Sequence, residues 1–171
     1  MPAWSTEIAN EFLRLAVADG RLLDQMQLQD LTYIAHGWCL AATDQPLTGD
    51  RPEALADGPE YRLLAKALRA WGTKPVRHQI PVADLFPIAV SAKAAQSVSA
   101  LETKDRDWVA RTYMLYAMLD VVQLSPLIRQ QSTAWDRVFA QGKGAGKEIP
   151  HALIKAQFVE LSANHSGQVH D

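Results

Sequence analysis

The sequence of 171 residues contains one cysteine, Cys39, and no long apolar run. A single cysteine excludes an intrachain disulfide, on which many secreted domains of this size depend. No stretch approaches the ~18 consecutive apolar residues typical of a membrane-spanning helix. The N-terminus also lacks the basic segment and apolar core of a signal peptide. These absences predict a cytoplasmic protein that is not associated with a membrane.

Neither sign of charge is in large excess, because the chain has 17 basic and 19 acidic residues and a net charge of −2. Proteins that follow a phosphate backbone need clustered lysine and arginine, so this balance argues against nucleic-acid binding. The length fits one domain. We place this domain at residues 1–163 and expect the polar tail, residues 164–171, to be disordered.

Helical periodicity dominates the chain and strand patterns are nearly absent. The fold class we predict is all-α, a compact single-domain bundle of about six or seven helices with one short extended segment near 75–82. Ser5 or Thr6 is the expected cap of the first helix. The predicted helices cover approximately residues 5–18, 24–42, 61–71, 89–100 (weakly), 104–122, a short stretch from Ser125-Pro126, 134–140, and a last helix from Pro150.

The predicted helix over residues 24–42 has one face that we expect to be buried and a second face that differs from it. Asp24 and Gln27 have the spacing of an N-terminal capping box. Gly37 costs about 1 kcal/mol of helix propensity relative to alanine, which predicts that a neighbouring backbone approaches closely there. Tyr33 and His36 lie on a different face from the stripe that we expect to be buried, which comprises Leu28, Leu31, Ala35, Trp38 and Ala42.

The predicted helix over residues 104–122 is apolar on most sides. Such a helix is usually central in a bundle. Ser125 and Pro126 then favour the start of a new helix, as its cap and first residue. The expected core stripe of the long helix comprises Trp108, Thr112, Leu115, Leu119 and Val122, with Tyr113, Met114, Tyr116 and Met118 around it.

No segment matches a pattern that carries chemistry. The glycine-rich run 142–146 is not a phosphate-binding loop, because Gln141 and Glu148 occupy positions that need glycine and serine or threonine; we expect a flexible loop. The five histidines have no metal-ligand spacing. Cys39 lies beside a buried stripe with no base nearby. The sequence therefore predicts no enzyme, no cofactor and no metal.

Several short motifs occur in an order that resembles a known family. Residues 28–38 read Leu-Gln-Asp-Leu-Thr-Tyr-Ile-Ala-His-Gly-Trp, residues 45–47 form a Gln-Pro-Leu turn, and residues 53–59 end in an Asp-Gly-Pro corner. The segment from Leu124 to Trp135 and the Ile-Pro start of the last helix follow. In this order and spacing, over roughly residues 10–160, the chain resembles the Panacea antitoxin-domain family, which includes phage-associated GepA-like and SocA-like proteins.

The chain departs from the family pattern at five positions. The family's lysine in the first motif is Asp30 here, and a histidine in the later segment is replaced by Arg129. If that histidine has a chemical role in the family, this chain cannot perform it in the same way. The other departures are Leu55 for tryptophan, Glu60 for valine and Ala134 for proline.

The resemblance implies an antitoxin that neutralises a small toxin by direct protein contact. One route to neutralisation in that family is presentation of the bound toxin to a Clp-type protease. We expect four residues to contact the partner, namely Tyr33, His36, Arg129 and Trp135, although ordinary packing explains each one singly as well. The scaffold residues that the resemblance implies are Leu28, Trp38, Gly58 and Pro59.

Other functions stay open at this point. A prophage-associated structural or host-modulating protein without a toxin partner would use the same scaffold. An enzyme would need a polar pocket with converging ionisable groups, and a DNA-binding autoregulator would need a basic surface. The sequence also leaves homo-oligomerisation open.

Overall fold

A computed structural model describes residues 2–87 and 101–167 of the chain. The predicted all-α class is confirmed, since these residues form seven α-helices and one small hairpin. The weak helix predicted over 89–100 lies outside the described residues. The helices are α1 (Ser5–Ala18), α2 (Gln25–Thr43), α3 (Arg62–Leu68), α4 (Thr103–Tyr116), α5 (Val121–Ile128), α6 (Ala134–Phe139) and α7 (His151–Gly167), and the strands are β1 (Glu53–Leu55) and β2 (Gly58–Glu60).

The N-cap of α1 lies one residue before Ser5, the first of the two expected caps. Trp4 is the N-cap, and its backbone N–H donates to the Glu7 carboxylate over 2.7 Å. Ser5, an expected cap, instead donates through its backbone N–H and hydroxyl to the Asp50 carboxylate. The serine therefore joins the helix start to the connection before the hairpin, a tertiary contact that local sequence does not reveal.

Helix α2 is the centre of the molecule. Its capping box is confirmed, with Gln27 N–H donating to Asp24 over 2.9 Å and Asp24 N–H donating to Gln27 over 3.0 Å. The helix packs against α1, α3, α4, α5 and α7. Almost every side chain from 28 to 40 is consequently buried, not only the predicted stripe.

Gly37 lies at a close approach between α2 and α7. A Cβ atom built at this glycine would overlap the Phe158 ring. The close approach that the sequence predicts is therefore present, but an aromatic ring makes it where we expected a backbone.

The predicted helix over 104–122 is two helices. Helix α4 ends at Tyr116, and α5 begins at Val121 because Asp120 and Gln123 form a second capping box, with hydrogen bonds of 2.8 and 2.9 Å. The predicted start at Ser125-Pro126 is wrong, since Pro126 lies inside α5. The capping box fixes the boundary more strongly than the proline does.

The hairpin turns the chain between α2 and α3. Strands β1 and β2 pair antiparallel with Leu55 opposite Gly58, and Gly58 has φ 126°, a conformation that favours glycine. The glycine-rich run is tied to this hairpin, since Ala54 exchanges 2.8 Å backbone hydrogen bonds with Gly146 and Lys147. Strands of three residues are too short to leave an alternating pattern in the sequence.

Two further segments refine the predictions. In the expected extended segment 75–82, Val76 makes one isolated antiparallel bridge to Leu23, and a 3-10 turn follows at Val82–Asp84. Helix α7 begins after Pro150 as predicted and continues to Gly167, past the expected domain end at residue 163. None of the helices in the described ranges has the length and apolarity to cross a bilayer.

Candidate protein-interaction groove

Tyr33, a predicted partner contact on α2, is fully buried. Its ring lies edge-on to Phe158 of α7, with 6.3 Å between the ring centroids. Burial raises the pKa of the Tyr33 hydroxyl well above its ordinary value. The side chain is not accessible to a partner, which corrects the expectation of a contact at this position.

His36, the second predicted contact on α2, is buried as well and holds a turn in place. Its Nδ1 atom accepts hydrogen bonds from the backbone N–H groups of Leu47 and Thr48, over 3.2 and 3.3 Å. Because Nδ1 is an acceptor, the proton of the neutral ring is on Nε2. Burial, with a smaller contribution from His151, lowers the pKa of His36 to about 3. His36 is therefore a neutral structural residue that fastens the Gln-Pro-Leu turn to α2.

Arg129 forms an ion pair with Asp30 in place of a partner contact. The guanidinium donates from Nη2 and Nη1 to the two carboxylate oxygens of Asp30, over 2.6 and 3.1 Å. Its Nε also donates to the carbonyl of Asp57, in the corner between the strands. Burial raises the pKa of Asp30, and the hydrogen bonds and charge of Arg129 oppose that rise. Arg129 thus ties α5 to α2 and to the hairpin.

Trp135 is only 9% exposed and serves the same hairpin. Its indole N–H donates to the carbonyl of Leu55 over 2.7 Å. Its ring stacks on Phe139 with 5.0 Å between the centroids. The contacts with Leu55 and Phe139 leave little of the Trp135 side chain for the partner contact that we expected at this position.

The predicted scaffold residues occupy structural positions. Leu28 is in the core, and Pro59 is buried in the hairpin. A Cβ atom at Gly58 would lie 2.5 Å from Nε of Arg129, so glycine is what allows the guanidinium to reach Asp57. Trp38 differs from the others because it is half-buried and borders an open groove.

An apolar groove lies between α2, α4 and α7. Its volume is about 800 Å³, within the range of ligand-binding clefts. The groove is lined by Trp38, Ala41, Ala42, Trp108, Arg111, Thr112, Leu115, Tyr116, Val159, Ser162 and Ala163.

Several polar atoms of the groove already have partners within the chain. The Trp38 indole N–H donates to the Tyr116 hydroxyl over 3.1 Å, and the Thr112 hydroxyl donates to the Trp108 carbonyl over 2.8 Å. The charged group in the lining is Arg111, whose guanidinium lies 5.5 Å from the centre of the Trp108 ring. The groove therefore offers apolar contact with one cation at its edge.

An apolar crest lies beside the groove, formed by Met114 and Leu115 of α4, Met118 of the turn that follows α4, and Val122 at the start of α5. These four side chains are 70–81% exposed. The expectation that the 104–122 segment is central is therefore wrong: of the α4 side chains, only Val109 and Thr112 are fully buried. A patch of this kind on a folded domain marks an interaction surface more often than not.

A pattern in the sequence indicates this crest in retrospect. Lys104, Asp107 and Arg111 recur at i, i+3 and i+7, the spacing of a solvent-facing helical stripe. Continuing the same spacing gives Met114, which must then also face solvent. We expected Met114 and Met118 to add bulk around the core stripe of a central helix, but the phase of the charged residues places Met114 on the solvent side.

The described residues contain no set of three histidine, cysteine or acidic side chains placed to hold a metal ion. Cys39 is buried, and burial raises the pKa of its thiol. Its sulfur contacts the Thr43 hydroxyl and the Gln45 carbonyl. A protonated, enclosed thiol is a poor nucleophile, so Cys39 acts as a small core residue.

Comparison with known proteins found no relatives: no family in a scan of protein families matches the chain, and searches of curated proteins and of solved structures returned no match.

Proposed function

We propose that this chain is an antitoxin-like protein-binding module that neutralises a cognate toxin in the cytoplasm by holding it in the apolar groove. The observation that carries the proposal is the groove itself, an apolar cleft of about 800 Å³ lined by aromatic and aliphatic side chains. The Trp38 indole and the Thr112 hydroxyl of this cleft already donate hydrogen bonds within the chain. Such a surface offers apolar contact to the side chains of a protein partner.

One residue, Trp38, connects the motif resemblance with the apolar groove. Trp38 ends the α2 motif that resembles the Panacea family, and its indole ring forms part of the groove wall. Tyr33, His36, Arg129 and Trp135 lie in the packed interior and hold the turn, the hairpin and the helices that frame the groove. In the proposal these four residues support the scaffold, and the groove makes the contact.

The chemistry of the groove specifies the partner segment. A groove between helices takes an amphipathic helix whose large side chains enter between the walls. Trp108 and Leu115 offer apolar contact, and Arg111 at the edge favours an aspartate or glutamate on the incoming segment. The proposed occupant is therefore an apolar, helical segment of the toxin that carries an acidic residue near one end.

Co-expression with the small open reading frame beside this gene tests the proposal, in a host that the small protein kills. We expect rescue by the wild-type chain and co-purification of the two proteins. Val159→Arg, which places a long cation in the groove, abolishes both. Val17→Arg is the matched control, because Val17 is an exposed helical valine outside the groove, and it keeps both.

Two outcomes would overturn the proposal. Rescue without any complex would indicate an enzymatic or regulatory route. A neighbouring gene that is not toxic, with phage morphogenesis genes on both sides, would favour the alternative function of a prophage-associated structural or host-modulating protein.

A further inference from the structure

We propose that the crest of Met114, Leu115, Met118 and Val122 is the centre of an interface between two copies of this chain. The inference rests on exposed residues of α4, of the turn after it and of the start of α5, and its test does not require the toxin. Met114, Met118 and Val122 lie outside the apolar groove, whereas Leu115 and Arg111 belong to both surfaces.

The size of the crest suits a two-fold interface. Four large apolar side chains at 70–81% exposure amount to roughly 500 Å² of apolar surface, which is near the largest patch on a typical monomer. A standard interface takes about 800 Å² from each partner. The crest supplies more than half of that area, and the polar residues at its two ends supply the remainder.

The charges around the crest match a second copy better than a membrane. Exposed Arg111 precedes the apolar residues of α4, and exposed Asp120 follows them. Arg111 forms no ion pair with any residue in the described ranges. A lipid surface would need a cluster of basic residues beside the apolar ones, whereas the solvent-facing stripe of α4 alternates in sign at Lys104, Asp107 and Arg111.

A two-fold axis makes this arrangement self-complementary. In an isologous dimer the same patch meets itself in antiparallel orientation. With the axis passing through the crest, Met114 of one copy lies toward Met118 of the other, and the basic end at Arg111 lies toward the acidic end at Asp120. Each dimer then contains two such attractive pairs around an apolar centre.

Sedimentation velocity over protein concentrations from about 1 µM to about 200 µM tests the dimer, a range that brackets a micromolar Kd. We expect a concentration-dependent monomer–dimer equilibrium for the wild-type chain. Met118→Glu raises the dimer Kd at least about tenfold. Met26→Glu is the matched control, because Met26 is an exposed methionine in the first turn of α2, where an acid is favoured. We expect this variant to dimerise like the wild type.

A charge-exchange experiment tests the two-fold geometry. Arg111→Glu and Asp120→Lys each place like charges across the interface, and each variant alone is expected to remain monomeric. Mixed together, they form a heterodimer, because every acid then meets a base. Since loss of the Asp120 cap or local unfolding cannot create an association, formation of the mixed dimer identifies the contact.

The inference is overturned if the wild-type chain stays monomeric at the highest concentration, or if Met118→Glu dimerises as strongly as the wild type. A mixture of the two charge variants that stays monomeric, while the wild type dimerises, contradicts the two-fold pairing. None of these outcomes depends on toxin binding, which Val159→Arg tests separately.

Discussion

The guanidinium of Arg129 forms two hydrogen bonds, of 2.6 and 3.1 Å, with the carboxylate of Asp30, although 99 residues separate them in the chain. Asp30 on α2 is buried, and Arg129 at the end of α5 is largely buried, so an acid and a base pair within the scaffold. The pair joins α2 to α5, and neither residue is exposed for a partner.

Removing one member of this pair will destabilise the fold strongly. Arg129→Met leaves the buried Asp30 carboxylate without its cation, and we expect a loss of about 3–5 kcal/mol in the free energy of unfolding. Asp30→Asn combined with Arg129→Met removes both charges and recovers part of the loss. Urea denaturation monitored by circular dichroism measures the free energy of unfolding of the single and the double variant.

An exposed ion pair provides the control for this prediction. Arg62 pairs with Glu53 over 2.9 Å, but its side chain is largely exposed. Arg62→Met should therefore cost less than about 1 kcal/mol. Equal losses for Arg129→Met and Arg62→Met would contradict the structural role of the Arg129–Asp30 pair.

Gly37 and Phe158 form a second coupled pair. Gly37→Ala gains about 1 kcal/mol of helix propensity, but its Cβ would overlap the Phe158 ring. Overpacking of this kind costs about 1–3 kcal/mol, so we expect a net loss of stability. Phe158→Leu makes room for the methyl group, and the double variant should lose less than the sum of the two single losses. Strict additivity would show that the helices separate freely at this point.

His36 makes stability depend on pH. Its pKa is about 3 in the folded chain and has an ordinary value of 6.5. The unfolded chain therefore binds a proton between these values while the folded chain does not. The contribution of His36 is complete above pH 6.5 and is lost as the pH falls toward 3, at up to about 1.4 kcal/mol per pH unit.

His36→Asn isolates this contribution, because its side-chain oxygen can accept the hydrogen bonds from Leu47 and Thr48. The free energy of unfolding of the variant should fall less steeply than that of the wild type between pH 6.5 and pH 4. Identical slopes for His36→Asn and the wild type would contradict a buried neutral His36.

The helices were predictable where local signals set them. The Asp24–Gln27 box and Pro150 mark the starts of α2 and α7 correctly, since a cap depends on residues three or four apart. The break before α5 carries the same type of signal at Asp120 and Gln123, and we missed it because the apolar spacing continues across the break. The hairpin has no local signal beyond the corner at Gly58.

The candidate site was not predictable from residue type alone. Tyr33 and His36 face away from the expected buried stripe, but α2 is surrounded by five helices, so no face of its central part is open. Met114 and Met118 are apolar and yet exposed. The number of helices around an apolar stripe decides whether that stripe is buried. This number is a property of the assembled fold and cannot be obtained from the stripe alone.

Site-specific photo-crosslinking in cells tests the central claim, that the apolar groove holds a protein partner. A photoreactive phenylalanine analogue replaces Val159 in the groove or Val17 outside it, in cells that also produce the protein encoded beside this gene. The account predicts a crosslinked adduct, with the summed mass of the two chains, at position 159 and not at position 17. A complex that co-purifies without an adduct at 159, or that gives equal adducts at both positions, would contradict it.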